Sequence, residues 1–270
     1  MDGRLAAPPE HVAEAITSYL ALADVLGRRT GELHLHLGSG GADEPAFVPE
    51  PLTPSDVRGM ADAMRRHADE QLRTLEAALP RLDERRRELA RQVLTHRDDL
   101  IQQFDYLEQW RAGGAARIRC HGDYHLGQVL VTEGDVVIID FEGEPARPIS
   151  ERRAKNVSLR DVAGMLRSFS YAVSTALGAA TALRAEDLER LTPWADLWET
   201  WVSAAFLRAY FGITRELPFV PSDPDDLEIL LQAFVVEKAL YELGYELNNR
   251  PDWVHIPLTG LLRLRSRLHA

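Results

Sequence analysis

This sequence predicts a mainly α-helical fold with one small β-hairpin in its middle. Three observations carry that expectation. Apolar residues recur at helical spacing along most of the 270 residues. Only between about residues 117 and 139 does the texture change to short β-branched runs. Within that stretch, Glu133-Gly134-Asp135 is a tight-turn sequence separating two such runs.

Taken in order, Val12, Ile16, Tyr19, Leu20, Ala23, Leu26, Leu33 and Leu37 predict a helix from about Pro9 to Leu37. Gly38 to Pro54 reads as a Gly/Pro-rich loop. Its end, Thr53-Pro54-Ser55-Asp56, is a helix start with proline in the first turn. A helix is expected from about Ser55 to Leu79, with Pro80 after it, and another from Arg81 to Trp110. The second carries Leu82, Leu89, Val93, Leu100, Ile101, Phe104 and Leu107, and its Asp83-Glu84-Arg85-Arg86-Arg87 cluster is expected as a solvated face. Gly113-Gly114 closes this helical pair. Strands follow at Arg117–Cys120, Val129–Thr132 and Val136–Ile139, with residues 121–128 a loop. An Arg- and Pro-rich loop runs from Asp140 to about Leu159. Helices are then expected at Arg160–Leu177, Ala185–Phe211, Pro224–Asn248 and from about Pro257. Trp194, Trp198 and Trp201 recur at i, i+4 and i+7 and are expected to pack in the core.

Composition narrows the setting. With 45% hydrophobic and 27% charged residues the chain resembles an ordinary globular protein. A formal net charge of −11 argues against a broad nucleic-acid surface. The first ten residues are polar and Pro-rich, and no apolar run is long enough to span a bilayer, so no membrane partner is expected. The lone Cys120 excludes an internal disulfide framework, fits a reducing cytoplasm and reads as a small buried apolar side chain.

The chemistry concentrates in His121-Gly122-Asp123-Tyr124-His125-Leu126-Gly127-Gln128 and the following Asp140-Phe141-Glu142. Phosphoryl transfer to a hydroxyl needs a carboxylate to take or orient the hydroxyl proton, and oxygen ligands that hold Mg²⁺ against the nucleotide phosphates. Protein kinases place the base in a loop, an amide ligand five residues later, and a second ligand Asp at the end of the next hairpin. Here Gln128 follows Asp123 by five residues and Asp140 ends the hairpin. The amide oxygen of Gln128 is a hard donor able to replace Asn. A structural turn is the bland alternative, and the agreement of spacing, hairpin and terminal Asp outweighs it.

These residues resemble the aminoglycoside phosphotransferase and choline kinase superfamily. The longer strings His121–Gln128, Ile139–Pro148, Ser150–Lys155, Leu159–Arg167 and Glu237–Trp253 resemble bacterial maltokinases, over roughly residues 20 to 270. The resemblance implies the C-lobe of a protein-kinase-like fold, and ATP-dependent phosphorylation of maltose to maltose 1-phosphate in a trehalose-to-α-glucan route, with fusion to or association with trehalose synthase in some members. By position it implies Asp123 as catalytic base, Gln128 and Asp140 as Mg²⁺ ligands, and Asp161 as a support hydrogen-bonded to amides of the catalytic loop. From the sequence alone Asp161 serves equally well as a helix-start residue. His121 is expected to brace the loop, and His125 either contacts the sugar or is structural.

A sugar site interleaves hydrogen-bonding groups with flat apolar faces. Lys238, Tyr241, Glu242 and Tyr245 lie at i, i+3, i+4 and i+7 of the helix at about 224–248, apart from Leu240, Leu243 and Leu247, and are expected to form an acceptor-binding face. Arg250 is a weaker candidate. Residues 1–37 are expected to lead into the C-lobe and residues 38–270 to form it. No β-rich lobe with a Gly-rich loop and strand lysine is legible before it. The only lysines are Lys155 and Lys238, neither placed to substitute. ATP is therefore expected to be held mostly by a missing N-lobe, and this chain alone to turn over little. The alternatives are a non-catalytic sugar- or partner-binding remnant, a kinase for an aminoglycoside or other small hydroxylated acceptor, and a zinc hydrolase using His121, Asp123 and His125.

Overall fold

A computed structural model describes residues 7–41, 43–110, 114–145, 147–179 and 185–268. Gly113, half of the expected Gly113-Gly114 stop, lies outside them. The chain divides into two compact units, Met1–Pro51 with Gly113–Leu227, and Leu52–Ala112 with Glu228–Ala270.

The first unit opens with α1 (Glu10–Ala15) and α2 (Thr17–Leu37), which replace the single expected helix and divide at Ile16. Here α2 packs on α8 (Ala185–Thr214). Gly27 and Gly31, one turn apart, permit this approach: a Cβ on Gly27 would stand 2.3 Å from the Phe206 carbonyl oxygen, and one on Gly31 2.8 Å from Ile213 Cβ. The core around this contact holds Leu26, Phe169, Val202, Phe206 and Tyr210. Burying such side chains is worth roughly 1.5–3 kcal/mol each.

Two small sheets complete the unit. β1 (Glu50–Pro51), β2 (Ala116–Ile118) and β5 (Asn156–Val157) form an antiparallel sheet in the order β1-β2-β5. β3 (Val129–Val131) and β4 (Val136–Ile138) are the expected hairpin, with Val129 opposite Ile138. Three expectations need correction here. The strand expected at Arg117–Cys120 ends at Ile118. The loops expected at 38–54 and 140–159 contain β1, the short helix α6 (Ile149–Arg153) and β5. Each of β1 and β5 is two residues long and exists by pairing with β2, so no local periodicity announces it. Lys155 fixes this region: its ammonium donates to the carbonyls of Pro45 (2.9 Å) and Val48 (2.7 Å) and lies 3.0 Å from Glu50. α7 (Leu159–Ala179) follows β5.

The second unit contains α3 (Pro54–Ala78), α4 (Glu84–Thr95), α5 (Arg97–Gln102), most of α9 (Pro224–Asn249) and α10 (His255–Leu268). The start of α3 is the expected one: Thr53 accepts from the Asp56 N–H, and Asp56 accepts from the Thr53 N–H at 2.9 Å. The single helix expected from Arg81 to Trp110 is three pieces. Leu82 is extended, Asp83 N-caps α4 by accepting from the Arg86 N–H, His96 leaves helical geometry, and Gln103–Gln109 winds as 3-10 turns. Asp83 to Arg87 is solvated as expected, and Arg87 also donates to the Leu79 and Leu82 carbonyls. Among the described residues no helix is long and apolar enough to cross a membrane.

Of the tryptophans on α8, Trp194 is exposed, against the core role expected for it. Trp198 is half-buried, edge-on to Tyr19 (5.6 Å) and Phe169 (6.3 Å), and Trp201 is half-buried.

Candidate active site

The loop between β2 and β3 is held from beneath by the start of α7. Asp161 is 2% exposed, and its two oxygens accept three donors. His121 N–H donates to Oδ2 (2.7 Å), Gly122 N–H donates to Oδ1 (3.0 Å), and His34 Nε2 lies 3.1 Å from Oδ2. Because a carboxylate only accepts, Nε2 of His34 carries the proton. Its Nδ1 lies 3.0 Å from the Tyr210 hydroxyl. Burial by itself would raise the Asp161 carboxyl. The His34 imidazole and the Gly122 N–H outweigh it, and the carboxyl sits below its ordinary value. Both sequence readings of Asp161 hold together: it lies in the first turn of α7 and it accepts from the loop amides of His121 and Gly122. His34, buried inside α2, belongs to this site and was not singled out from the sequence.

His121 braces the loop as expected. Its Nε2 lies 2.8 Å from the Ile139 carbonyl and therefore donates to it, and Nδ1 faces the Asp123 N–H at 3.4 Å. The ring packs between Tyr124 (5.2 Å) and Phe141 (5.0 Å). Tyr124 is anchored through its hydroxyl, 2.7 Å from Thr30 Oγ1 on α2, and burial pushes that hydroxyl's pKa well up. Both nitrogens of His121 are thus committed inside the protein, which removes it from the zinc-ligand set considered above.

Asp123 is left with its carboxylate partly exposed at the loop surface, and His125 Nε2 is 3.9 Å from Oδ2. Nδ1 of His125 accepts from the Gly127 N–H at 3.0 Å, so the neutral ring presents Nε2–H towards Asp123. A 3-10 turn, Leu126–Gln128, then delivers Gln128 to the base of the hairpin. The Gln128 amide donates to Asp140 Oδ2 at 2.9 Å. Asp140 is the one non-glycine residue at positive φ (64°) among those described, and this turns its carboxylate aside directly after β4. Asp is among the few L-residues that tolerate this conformation. Gly122 (φ 88°) and Gly143 (φ 75°) face each other, and a Cβ on Gly122 would stand 3.4 Å from the Gly143 Cα.

The Asp140 carboxylate and the amide oxygen of Gln128 are hard oxygen donors of the kind Mg²⁺ accepts when waters and phosphate oxygens complete its octahedron, while the bond seen between the two side chains uses the amide NH₂. Asp140 and Gln128 fit that ion, provided the amide turns its oxygen outward. Cys120 lies just beyond β2 and is half-buried rather than buried as expected, its Sγ 3.5 Å from the Asn156 carbonyl; desolvation of the thiol pushes its pKa well up.

The expected acceptor-binding residues lie on α9, in the second unit. They share less than one face. Lys238 Nζ stands 4.8 Å over the half-buried Tyr241 ring, Glu242 is buried, and Tyr245 is exposed. Arg250 stacks 5.3 Å from the Tyr245 ring and 5.0 Å from Trp253, and makes a two-pronged bond to the buried Glu246 (3.0 and 2.6 Å). That arrangement makes Arg250 a lock on the end of α9. Leu240, Leu243 and Leu247 are in the core as expected. Glu237, which the sequence did not mark out, lies 3.5 Å from His67 on α3.

The profile of the phosphotransferase enzyme family matches residues 1–143. The glucosamine kinase of Streptacidiphilus jiangxiensis is 29% identical over 251 residues, covering 90% of this chain and 49% of that protein. The glucosamine kinase of Mycolicibacterium smegmatis is 32% identical over 147 residues, covering 52% of this chain and 33% of that protein. A solved glucosamine kinase in complex with glucosamine, ADP and inorganic phosphate superposes with a TM-score of 0.72 at 24% identity, over 93% of this chain and 56% of its own. Another crystal form gives 0.72 at 23% identity, over 92% and 54%. At such identities the structural likeness is one of fold. The chain therefore spans about half the length of the solved structures, and half or less of the curated relatives. With a profile match over 143 of 270 residues, the chain belongs to the phosphotransferase enzyme family.

Proposed function

We propose that these residues are the catalytic lobe of an ATP-dependent sugar kinase, with maltose as acceptor and maltose 1-phosphate as product. The observation that carries the kinase reading is the hairpin geometry. Gln128, five residues beyond Asp123, meets Asp140 at 2.9 Å, and the loop that carries Asp123 is tied at His121 and Gly122 to the buried Asp161.

In this reading Asp123 accepts the proton of the sugar hydroxyl as its oxygen bonds to the γ-phosphorus. The bond from that phosphorus to the β,γ-bridging oxygen breaks, and ADP leaves. Mg²⁺ held by Asp140 and Gln128 would neutralise charge on the phosphates. His125 presents Nε2–H beside Asp123 and is suited to orient the carboxylate or a sugar hydroxyl. The described residues contain no β-rich lobe with a strand lysine, so most of the ATP contacts are assigned to a separate nucleotide-binding lobe, and slow turnover is expected from these 270 residues by themselves. The cytoplasm and an association with trehalose synthase follow from the same reading.

For the acceptor, the resemblance of the strings around Asp140 and Glu237 to maltokinases supports maltose. The second reading is glucosamine, which the names of the relatives favour. Phosphorus NMR of the chain at high concentration with ATP, Mg²⁺ and each sugar separates the readings. Maltose 1-phosphate is expected, whereas glucosamine phosphate with no maltose product would replace the acceptor assignment. Sugar binding without any phosphate transfer would support a binding remnant.

A further inference from the structure

We infer that Ser168 is a second anchor of the catalytic loop and acts as a positioning residue for Asp123; the inference rests on the phosphoryl-transfer reading of that loop. Asp161, Gly164 and Ser168 stand at i, i+3 and i+7 on α7, which places them along one face. Each meets the loop at a later point. Asp161 takes the N–H groups of His121 and Gly122. Gly164 lies under the next turn of the loop, where a Cβ would stand 2.6 Å from the Tyr124 carbonyl oxygen. Ser168 Oγ accepts the Leu126 N–H at 3.0 Å.

Asp123 therefore sits between two fixed points. Asp161 holds the two residues before it, and Ser168 holds Leu126, three residues after it. The second point matters because Leu126 opens the 3-10 turn that ends in Gln128. An N–H at the start of a helical turn has no partner within the turn, and here Ser168 supplies one. The backbone that carries the base and the amide ligand is thereby clamped at both ends by a single helix. A larger residue at Gly164 would push against backbone and not against a flexible side chain.

The test is amide exchange at Leu126 in the 270-residue chain, followed by NMR. Ser168→Ala should accelerate that exchange about fivefold, the loss of one ordinary hydrogen bond, while amides in the middle of α7 keep their rates. Ser168→Thr keeps the hydroxyl and should restore exchange to within about twofold of the parent. Gly164→Ala should accelerate exchange at Leu126 by displacing the Tyr124 carbonyl. In sugar phosphorylation, Ser168→Ala should lower kcat about fivefold with KM for sugar and ATP unchanged, and Ser168→Thr should recover it. Unchanged Leu126 exchange in Ser168→Ala overturns the anchor, and faster exchange with an unchanged kcat overturns its role in positioning. Full turnover by Asp123→Asn removes the phosphoryl-transfer reading instead, and the exchange rates still decide the anchor.

Discussion

Replacing Asp161 by Asn is the substitution whose cost the structure specifies most fully. Oδ2 accepts from both His121 N–H and His34 Nε2–H, and Oδ1 accepts from Gly122 N–H. An Asn can place its one oxygen at the Oδ2 position and keep the first two bonds. Its NH₂ group then faces the Gly122 N–H, donor against donor. The opposite orientation abandons two bonds to keep one. Hydrogen bonds to a charged acceptor contribute about 1.5–3 kcal/mol each. Losing one outright and weakening two should cost about 3 kcal/mol. Urea unfolding followed by circular dichroism at pH 7 measures this directly. The pH dependence supplies a second signature. Asp161 in the folded chain has its carboxyl below the ordinary value, so its ionisation stabilises fully above the unfolded carboxylate range near about pH 4. That stabilisation is lost as pH falls through the lower folded value, and Asp161→Asn should lack this part of the acid limb. A loss under about 0.5 kcal/mol at pH 7, or an acid limb unchanged by the substitution, would refute the account of this buried group.

Further outcomes follow from the same geometry. Asp140→Asn keeps a residue that tolerates positive φ in an exposed position, so unfolding free energy should stay within about 0.5 kcal/mol. Mg²⁺-dependent phosphorylation should fall at least about tenfold, the scale of a lost metal contact; equal Mg²⁺ dependence in the variant would remove Asp140 from the ligand set. Asp135 is held at about 2, below its usual 3.8, chiefly by the two-pronged bond from Arg29 on α2. In Arg29→Gln its carboxyl, titrated by NMR, should return towards 3.8, and no upward shift would mean the pair is not formed in solution.

How much of this was legible in the sequence depended on whether the signal was local. The hairpin and the Asp123, Gln128 and Asp140 spacing were legible because a strand–turn–strand pattern and an Asp at its end lie within twenty residues of one another. The bracing role of His121 came through the family resemblance of its motif and not through any local pattern. His34 was not legible. It sits in an apolar-patterned helix, and its partner Asp161 is 127 positions away. Gly164 and Ser168 look like ordinary helix positions until the loop lying on them is seen. β1 and β5 depend on a shared partner strand, and the breaks at Leu82 and His96 depend on capping that competes with a continuous apolar period. On α9 the helix itself was legible, with the four residues at i, i+3, i+4 and i+7 along it. Spacing alone did not reveal that Glu242 turns inward while Arg250 covers Tyr245.

The central claim is that Asp123 takes the proton during phosphate transfer from ATP to a sugar. The most direct measurement is a phosphorus NMR time course with Mg²⁺, ATP and maltose or glucosamine, run in parallel on the parent chain and on Asp123→Asn at matched high concentration. Sugar phosphate should accumulate with the parent and slow by about 10²–10⁴-fold in the variant, the range for loss of a positioned base. Equal rates from the two proteins, or sugar phosphate from neither, would contradict it.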